Sequence, residues 1–498
     1  MSTPVTPKTL KLLAEKSDLF VQNAELALHN LIESHDTYLG FIKDRPEAKD
    51  NLFLSFLDTM IEFRMGLVIG VAELSSNIRN LVQSDLSYLK RYYILQINAR
   101  LSDCYKFFLG IGKDKRGVWK QFKKPITKYK NGSFLSQYNK LTVSYRDFKN
   151  IINKYERDVV EHYSSPDFMY IIYSNANSEE AVSKRVILFL SIIQKMYKFA
   201  EEVLNDMIEF FKLPPMNSPS SNDLTVPSSH AILSSSLRNG KLPQALNHTM
   251  AISPNYLDQY HQVQLRCRKI MESLKKYEDN IIRDSLIMTW SAMTDLMMFL
   301  QFVRADLACA MHTYLKSQSE LEFALCLRRI HIIKTSALTR LYGYNHEERN
   351  ESLWRYATIV LSSNRQLKNE QSQIEKKFQI ATSSKESDND LRTLYVHYRD
   401  NSANKIPELV HVISKLIPMS EFDKALSFLG LCNDIEAFIT RVISIGNGHL
   451  DQKSKRFDMN SADLEDLIKD KSKEDKTQWQ SMINDIRRVF DGIDLDDN

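Results

Sequence analysis

Two short segments of the 498-residue chain each set an arginine five places before a histidine and follow that histidine with tyrosine. They are RDVVEHY, from Arg157 to Tyr163, and RTLYVHY, from Arg392 to Tyr398. Of the twelve histidines, only His162 and His397 have arginine at that offset. Cleaving RNA by attack of a 2′-hydroxyl on its own phosphate needs a base at the hydroxyl, an acid at the departing 5′-oxygen and positive charge on the phosphoryl oxygens. Histidine titrates near neutrality, so one ring can be neutral while another is protonated. A guanidinium is permanently charged and forks onto two phosphate oxygens. Two histidines and two arginines complete this set, with no metal and no cofactor required.

Helix geometry decides how such groups can meet. Residues five apart on an ideal helix are about 140° apart in projection and about 7.5 Å apart along the axis. One motif therefore cannot readily aim both groups at a single atom, whereas two motifs facing across an interface can.

The chain is read as almost entirely α. Glycine is scarce, at 13 residues, and many runs carry apolar residues at i, i+3, i+4 and i+7. One such stripe passes through Leu141, Tyr145, Phe148, Ile152, Tyr155, Val159 and His162 and stops at Pro166. The run from Leu286 to Val303 is interrupted by Asp295 and reads as a buried helix rather than a membrane span. Its Met288 to Met298 segment reads as core packing. The N-terminus lacks the apolar core of a signal peptide, and no membrane association is expected.

Internal similarity sets the domain plan. With residue n laid on residue n+235, Ser84-Asp85-Leu86 falls on Ser319-Glu320-Leu321, Val68 on Val303 and Trp119 on Trp354. The same shift superposes Arg157 on Arg392, His162 on His397 and Tyr163 on Tyr398. Two related helical bundles are expected, residues 1–212 and 251–450. Residues 213–250 begin with a stretch holding four of the thirteen prolines and many serines, and read as the linker. Residues 451–498 carry nine Lys/Arg against thirteen Asp/Glu and read as a charged helical tail.

The paired motifs in a helical, duplicated context resemble the HEPN family (higher eukaryotes and prokaryotes nucleotide-binding). Its domains carry an R-x4-6-H signature and often act as metal-independent ribonucleases. The resemblance implies an intramolecular pseudo-dimer in which Arg157, His162, Arg392 and His397 line one cleft, supported by Asp158, Tyr163 and Tyr398. A polar residue commonly follows the family's arginine; Asp158 conforms and Thr393 matches loosely. Toxin members carry tyrosine two places after the histidine, and here it comes one place after, so modification of that tyrosine by a partner is not carried over. The resemblance further implies a prokaryotic defence or toxin effector held in check by a regulatory protein partner or antitoxin.

Charge adds a second expectation. The net charge is 66 − 62 = +4, too small to indicate nucleic-acid binding by itself. Between Gly112 and Ser133, however, Lys113, Lys115, Arg116, Lys120, Lys123, Lys124, Lys128 and Lys130 stand against Asp114 alone. Trp119, Phe122 and Tyr129 are interleaved, so the segment reads either as a platform for single-stranded RNA or as a solvated face with Trp119 packed inward. Arg328, Arg329 and His331 read as bordering the cleft or as an exposed helix face. Five scattered cysteines without a C-x-x-C pair fit a reducing cytoplasm. Homo-oligomerisation is compatible with this plan. The rival reading is a catalytically silent helical scaffold, or a nucleotide- or nucleic-acid-binding partner, in which both motifs only stabilise an interface.

Overall fold

Long apolar stripes at helical spacing dictate the architecture. In the computed structural model, residues 7–110, 117–148, 163, 165–176, 179–212, 229–274, 288–358, 365–383 and 417–456 are described. Among these residues every regular element is a helix. The N-terminal series is α1 (Pro7–Glu15), α2 (Ser17–Asp44), α3 (Leu52–Val82), α4 (Ser87–Leu109), α5 (Val118–Gln121), α6 (Lys123–Lys128), α7 (Leu135–Asp147), α8 (Pro166–Ser174) and α9 (Glu179–Phe210). The C-terminal series is α10 (Ser229–Arg238), α11 (Leu242–Leu274), α12 (Met288–Lys316), α13 (Glu320–Leu341), α14 (His346–Asn350), α15 (Leu353–Thr358), α16 (Arg365–Thr382) and α17 (Pro418–Arg456). Residues 229–250, within the stretch read as linker, are thus largely helical. No helix among the described residues is long and apolar enough to cross a membrane.

Outer and inner helices are told apart by how much of their circumference is apolar. On α9 the buried residues Val182, Val186, Phe189, Ile193, Met196, Ala200, Val203 and Met207 alternate steps of four and three, so one stripe faces inward and the rest faces water. On α3, α4 and α13 burial extends around nearly the whole helix. The same holds for α12, where Met293, Met297, Met298, Phe299, Leu300, Val303, Leu307 and Met311 are all buried. The segment read as a buried, methionine-rich helix is therefore part of the innermost layer.

Close approach of α3 to α4 rests on two glycines one turn apart. A Cβ at Gly66 would sit 2.2 Å from the Phe107 ring, and one at Gly70 would sit 2.7 Å from Cys104 Sγ. Helix starts are fixed by side-chain caps: Asn51 accepts from the Phe53 and Leu54 amides at 2.9 and 3.2 Å, and Ser319 accepts from the Glu322 amide at 3.2 Å. Pro166 is the first residue of α8, where its missing N–H costs nothing. The stripe read from Leu141 onward is helical through Asp147 and buries Tyr145 and Phe148, while its continuation through 149–162 lies outside the described residues.

Trp119 sits in the innermost packing, with none of its surface exposed. Its indole N–H donates to Thr142 Oγ1 at 2.8 Å, and its ring stacks on Tyr138 at 5.1 Å between centroids. Truncating such a side chain costs about 3–5 kcal/mol. Trp119→Ala is therefore expected to lower the urea midpoint by that equivalent, and a variant as stable as wild type would contradict the packing role.

Candidate functional site at the seam of the two helix series

The inner helices α3 and α4 meet α12 and α13, and this seam carries ionisable groups where the surroundings are otherwise apolar. Such groups persist in a low-dielectric interior only when paired. Arg79 of α3 donates to Glu322 of α13 and to Asp18 of α2. Arg328 of α13 donates to Glu73 Oε1 of α3 at 2.6 Å. Arg100 of α4 lies 3.1 Å from Asp103 Oδ2 and 3.8 Å from Glu73 Oε2. Tyr93 of α4 and Thr313 of α12 share a hydrogen bond of 2.8 Å. A half-open cavity of about 50 Å³ lies among these groups, lined also by Tyr92, Gln96 and Arg329. That space admits a few waters or one small ligand group.

About two turns before Thr313 on α12, Asp306 is the centre of a second cluster. Each of its carboxylate oxygens accepts one phenol: Tyr88 Oη donates to Oδ1 at 3.1 Å, and Tyr163 Oη donates to Oδ2 at 3.0 Å. Burial pushes the Asp306 carboxyl up to about 6, against the opposing pull of Arg329 and the two tyrosine donors. Burial likewise pushes the Tyr88 and Tyr163 hydroxyls well up, so both remain protonated donors at neutral pH. A smaller cavity of about 20 Å³, lined by Tyr88, Tyr92, Tyr173, Phe302 and Asp306, adjoins this cluster.

A third buried pair ties α13 to α17. His331 Nδ1 lies 3.0 Å from Glu421 Oε2, and Lys424 Nζ donates to Glu421 Oε1 at 2.9 Å. Burial pushes the Glu421 carboxyl up, but the His331 hydrogen bond and charge, with Lys334 and Lys424, outweigh it and hold it down at about 2. Ionised Glu421 can only accept, so Nδ1 carries the proton in this pair.

Of the residues read as catalytic or supporting, Tyr163 is described, and it lies at the seam. Arg157, Asp158, His162, Arg392, His397 and Tyr398 lie outside the described residues, as do Lys113, Lys115 and Arg116. In the rest of the basic segment, Lys123, Lys124 and Lys128 are exposed and Lys120 is half-buried. Lys130 is tied to Asp206 Oδ2 of α9 at 2.7 Å, and that contact, with the Tyr129 hydroxyl, holds the Asp206 carboxyl below its usual range. The interleaved aromatics do not form a stacking face. Trp119, Phe122 and Tyr129 are at most 2% exposed, because short helices at this point turn their aromatic side inward onto α3 and α9. Trp119 is thus packed inward, and of the described basic residues Lys123, Lys124, Lys128 and Lys130 remain at the surface.

Arg328 and His331 are each 1% exposed, so the exposed-face reading of that stretch is replaced by one of buried pairs, Arg328 with Glu73 across the seam and His331 with Glu421 of α17. Sequence reasoning missed Asp306, Tyr88, Glu73, Arg79, Arg100 and Glu322. The available signal was a charge inside an apolar helical run, as with Glu73 alone in LVIGVAEL and Asp306 two places after Arg304 in FLQFVRADLACAM. Among the described residues no group of three or more His, Cys, Asp or Glu is arranged to hold a metal. All five cysteines are free and buried. No family model, curated protein or solved structure matches the chain.

Two measurements check the electrostatics. Removing one partner of a buried pair costs about 3–5 kcal/mol, so Arg328→Met should lower stability by that order in urea, and Glu73→Met added to it should recover much of the loss. The pH response has opposite signs at two carboxyls. For Asp306, held at about 6 against an ordinary 3.8, the contribution is fully present below the ordinary value and lost as pH rises through about 6. For Glu421, held at about 2 against 4.5, the contribution is present above the ordinary value and lost as pH falls through about 2. Thermal midpoints from pH 3 to 8 should therefore show Asp306→Asn gaining on wild type between pH 4 and 7. Glu421→Gln should converge on wild type towards the acid end. Parallel curves at either position would contradict the assignment.

Proposed function

We propose that the chain is a metal-independent endoribonuclease whose composite site draws Arg157 and His162 from one helical bundle and Arg392 and His397 from a second, related bundle. The observation that carries this reading is the position of Tyr163. The residue immediately after His162 is buried at the seam and hydrogen-bonded to Asp306 of the opposite helix series, so the first motif ends where the two series meet.

The order and spacing of the helices support the duplication. Adding 235 to the bounds of α3 gives 287–317, against 288–316 for α12. The same shift takes α4 to 322–344, against 320–341 for α13, and α5 to 353–356, against 353–358 for α15. It takes α9 to 414–445, against 418–456 for α17. The two tryptophans have matching surroundings: Trp119 packs against Phe199 of α9 at 6.0 Å, and Trp354 packs against Phe438 of α17 at 5.6 Å. The seam is reciprocal as well, since α3 touches α13 and α12 touches α4. Such reciprocity is what a pseudo-twofold axis between two copies produces.

In the proposed reaction one neutral imidazole takes the proton of the 2′-hydroxyl while the oxygen attacks the adjacent phosphorus. The bond to the 5′-oxygen breaks, and the protonated second imidazole supplies its proton to that leaving oxygen. The two guanidiniums hold the phosphoryl oxygens as charge builds. The products are a 2′,3′-cyclic phosphate and a 5′-hydroxyl. The exposed Lys123, Lys124 and Lys128, with Lys113, Lys115, Arg116 and Lys120 of the same segment, attract the RNA backbone without stacking on its bases. Unrestrained cleavage would stop growth of the host cell, so a regulatory protein partner or antitoxin belongs to this reading.

His162→Ala and His397→Ala are each expected to reduce cleavage of single-stranded RNA by at least about 100-fold, the usual contribution of a general acid or base. Thermal midpoints should stay within a few degrees of wild type. Cleavage should persist in EDTA, with a bell-shaped pH–rate curve. Full activity in both variants, or a strict need for a divalent cation, would hand the chain to the scaffold reading.

A further inference from the structure

Two polar side chains lining the larger seam cavity are buried without a partner inside the protein. Helical spacing brings the lining together. Glu73 and Ser76 are three apart on α3, and Tyr92, Gln96 and Arg100 follow at steps of four on α4, so each set shares one face. Ser76 is 8% exposed and Gln96 4%. Buried hydroxyls on the neighbouring helices donate to the carbonyl four places back, as Thr313 does to Cys309 at 2.7 Å and Thr335 to His331 at 2.8 Å. The Ser76 hydroxyl and the Gln96 side-chain amide have no hydrogen-bond partner among the described residues. A polar group buried in this way is costly unless something in the cavity completes it.

The charged part of the lining identifies the missing group. Arg100, Arg328 and Arg329 stand against Glu73 and Glu322, which leaves one positive charge in excess. Guanidiniums, an amide NH₂ and a hydroxyl all donate, and together they suit an oxyanion. The carboxylates add a second requirement, because they repel an oxyanion that carries no proton. Glu73 holds Arg328 through Oε1 at 2.6 Å, and a carboxylate has lone pairs for further donors. An ion that is negative overall yet keeps one O–H meets both conditions; phosphate near neutral pH is such an ion and sulfate is not. A cavity of about 50 Å³ holds roughly three to five water-sized positions, the space of the five heavy atoms of phosphate. We infer that this cavity is a phosphate site, in which Ser76 and Gln96 donate to the phosphoryl oxygens beside the three guanidiniums and Glu73 accepts from the ion's own O–H. The cavity is half-open, so the ligand is inorganic phosphate or the terminal phosphate of a monoester. The site stands apart from the ribonuclease reading, since none of its lining residues belongs to either motif.

The test uses the full chain in phosphate-free buffer near neutral pH, with Ser76→Ala, Gln96→Met and, for comparison, the Lys123→Ala/Lys124→Ala variant. Titration calorimetry and thermal midpoints are measured with inorganic phosphate, methyl phosphate and sulfate at matched ionic strength. Wild type is expected to bind inorganic phosphate and to gain thermal midpoint as its concentration rises. Sulfate should bind at least about tenfold more weakly, because it meets Glu73 without a proton between them. Ser76→Ala and Gln96→Met should each weaken phosphate binding at least about tenfold, the usual loss for one hydrogen bond to a charged group. Without phosphate both variants should be as stable as wild type or more so, because neither removes a bond made inside the protein. The lysine variant should keep phosphate affinity within about twofold, since exposed charges contribute little to a site they do not line.

Methyl phosphate binding as tightly as the free ion upholds the site and assigns it to monoesters, whereas binding of inorganic phosphate alone upholds it and assigns it to the free ion. Equal affinity for sulfate overturns the role of Glu73 and with it the phosphate assignment. Unchanged phosphate affinity in Ser76→Ala and Gln96→Met, with loss in the lysine variant, moves the ion to the basic segment and overturns the site. A wild-type chain that binds neither phosphate overturns it outright and leaves the cavity to water. If one cavity variant does not fold, the other decides together with the preference of wild type for phosphate over sulfate.

Discussion

The structure depends on the pairing of charge across a seam that is too deeply buried to hold it unpaired. Helices α3, α4, α12 and α13 are covered on nearly every side, yet they carry Glu73, Arg79, Arg100, Asp306, Glu322 and Arg328. Desolvating such a group without a partner costs several kcal/mol, whereas a matched partner with good geometry recovers most of that cost. The matched partners lie largely in the opposite helix series: Arg79 with Glu322, Arg328 with Glu73, and Tyr88 and Tyr163 with Asp306. Each series therefore completes the other's interior. A purely apolar seam would tolerate sliding by a turn, whereas these pairs fix one register.

This arrangement concentrates rigidly held polar groups at the seam. Small cavities, a raised carboxyl and a left-handed tyrosine occur together where the two series meet. Polar groups held rigidly between two bodies are suited to aiming a third. The basic segment is different in kind. Its lysines project from short helices whose aromatic residues are committed to the core, so any contact it makes with nucleic acid is electrostatic and weakens with salt.

Much of the fold was legible from periodicity, because a helix writes its buried face into the sequence every three or four residues. The methionine-rich inner helix is read that way, and so is the stripe from Leu141 that buries Tyr145 and Phe148. Which polar residues matter was much less legible. Asp306 and Glu73 register in the sequence only as interruptions of apolar runs, and nothing local indicates that one meets two tyrosines and the other an arginine 255 positions away. Trp119 and its neighbours left two readings open, a stacking platform or inward packing, and the fold buries all three aromatic side chains, whose area is worth more in the core than at the surface.

The sequence by itself determined the helical class, the inner and outer helices and the two motifs with their common offset, because spacing along the chain and burial around a helix are the same information. The tertiary structure decided the pairing of buried charges, the inward turn of the aromatic residues in the basic segment and the anchoring of Tyr163 on α12. Most of these are contacts between residues 59 to 255 positions apart, and their partners are selected by which surfaces meet when the inner helices pack. A chain can specify each face locally, but the partner of a face exists only once both are folded.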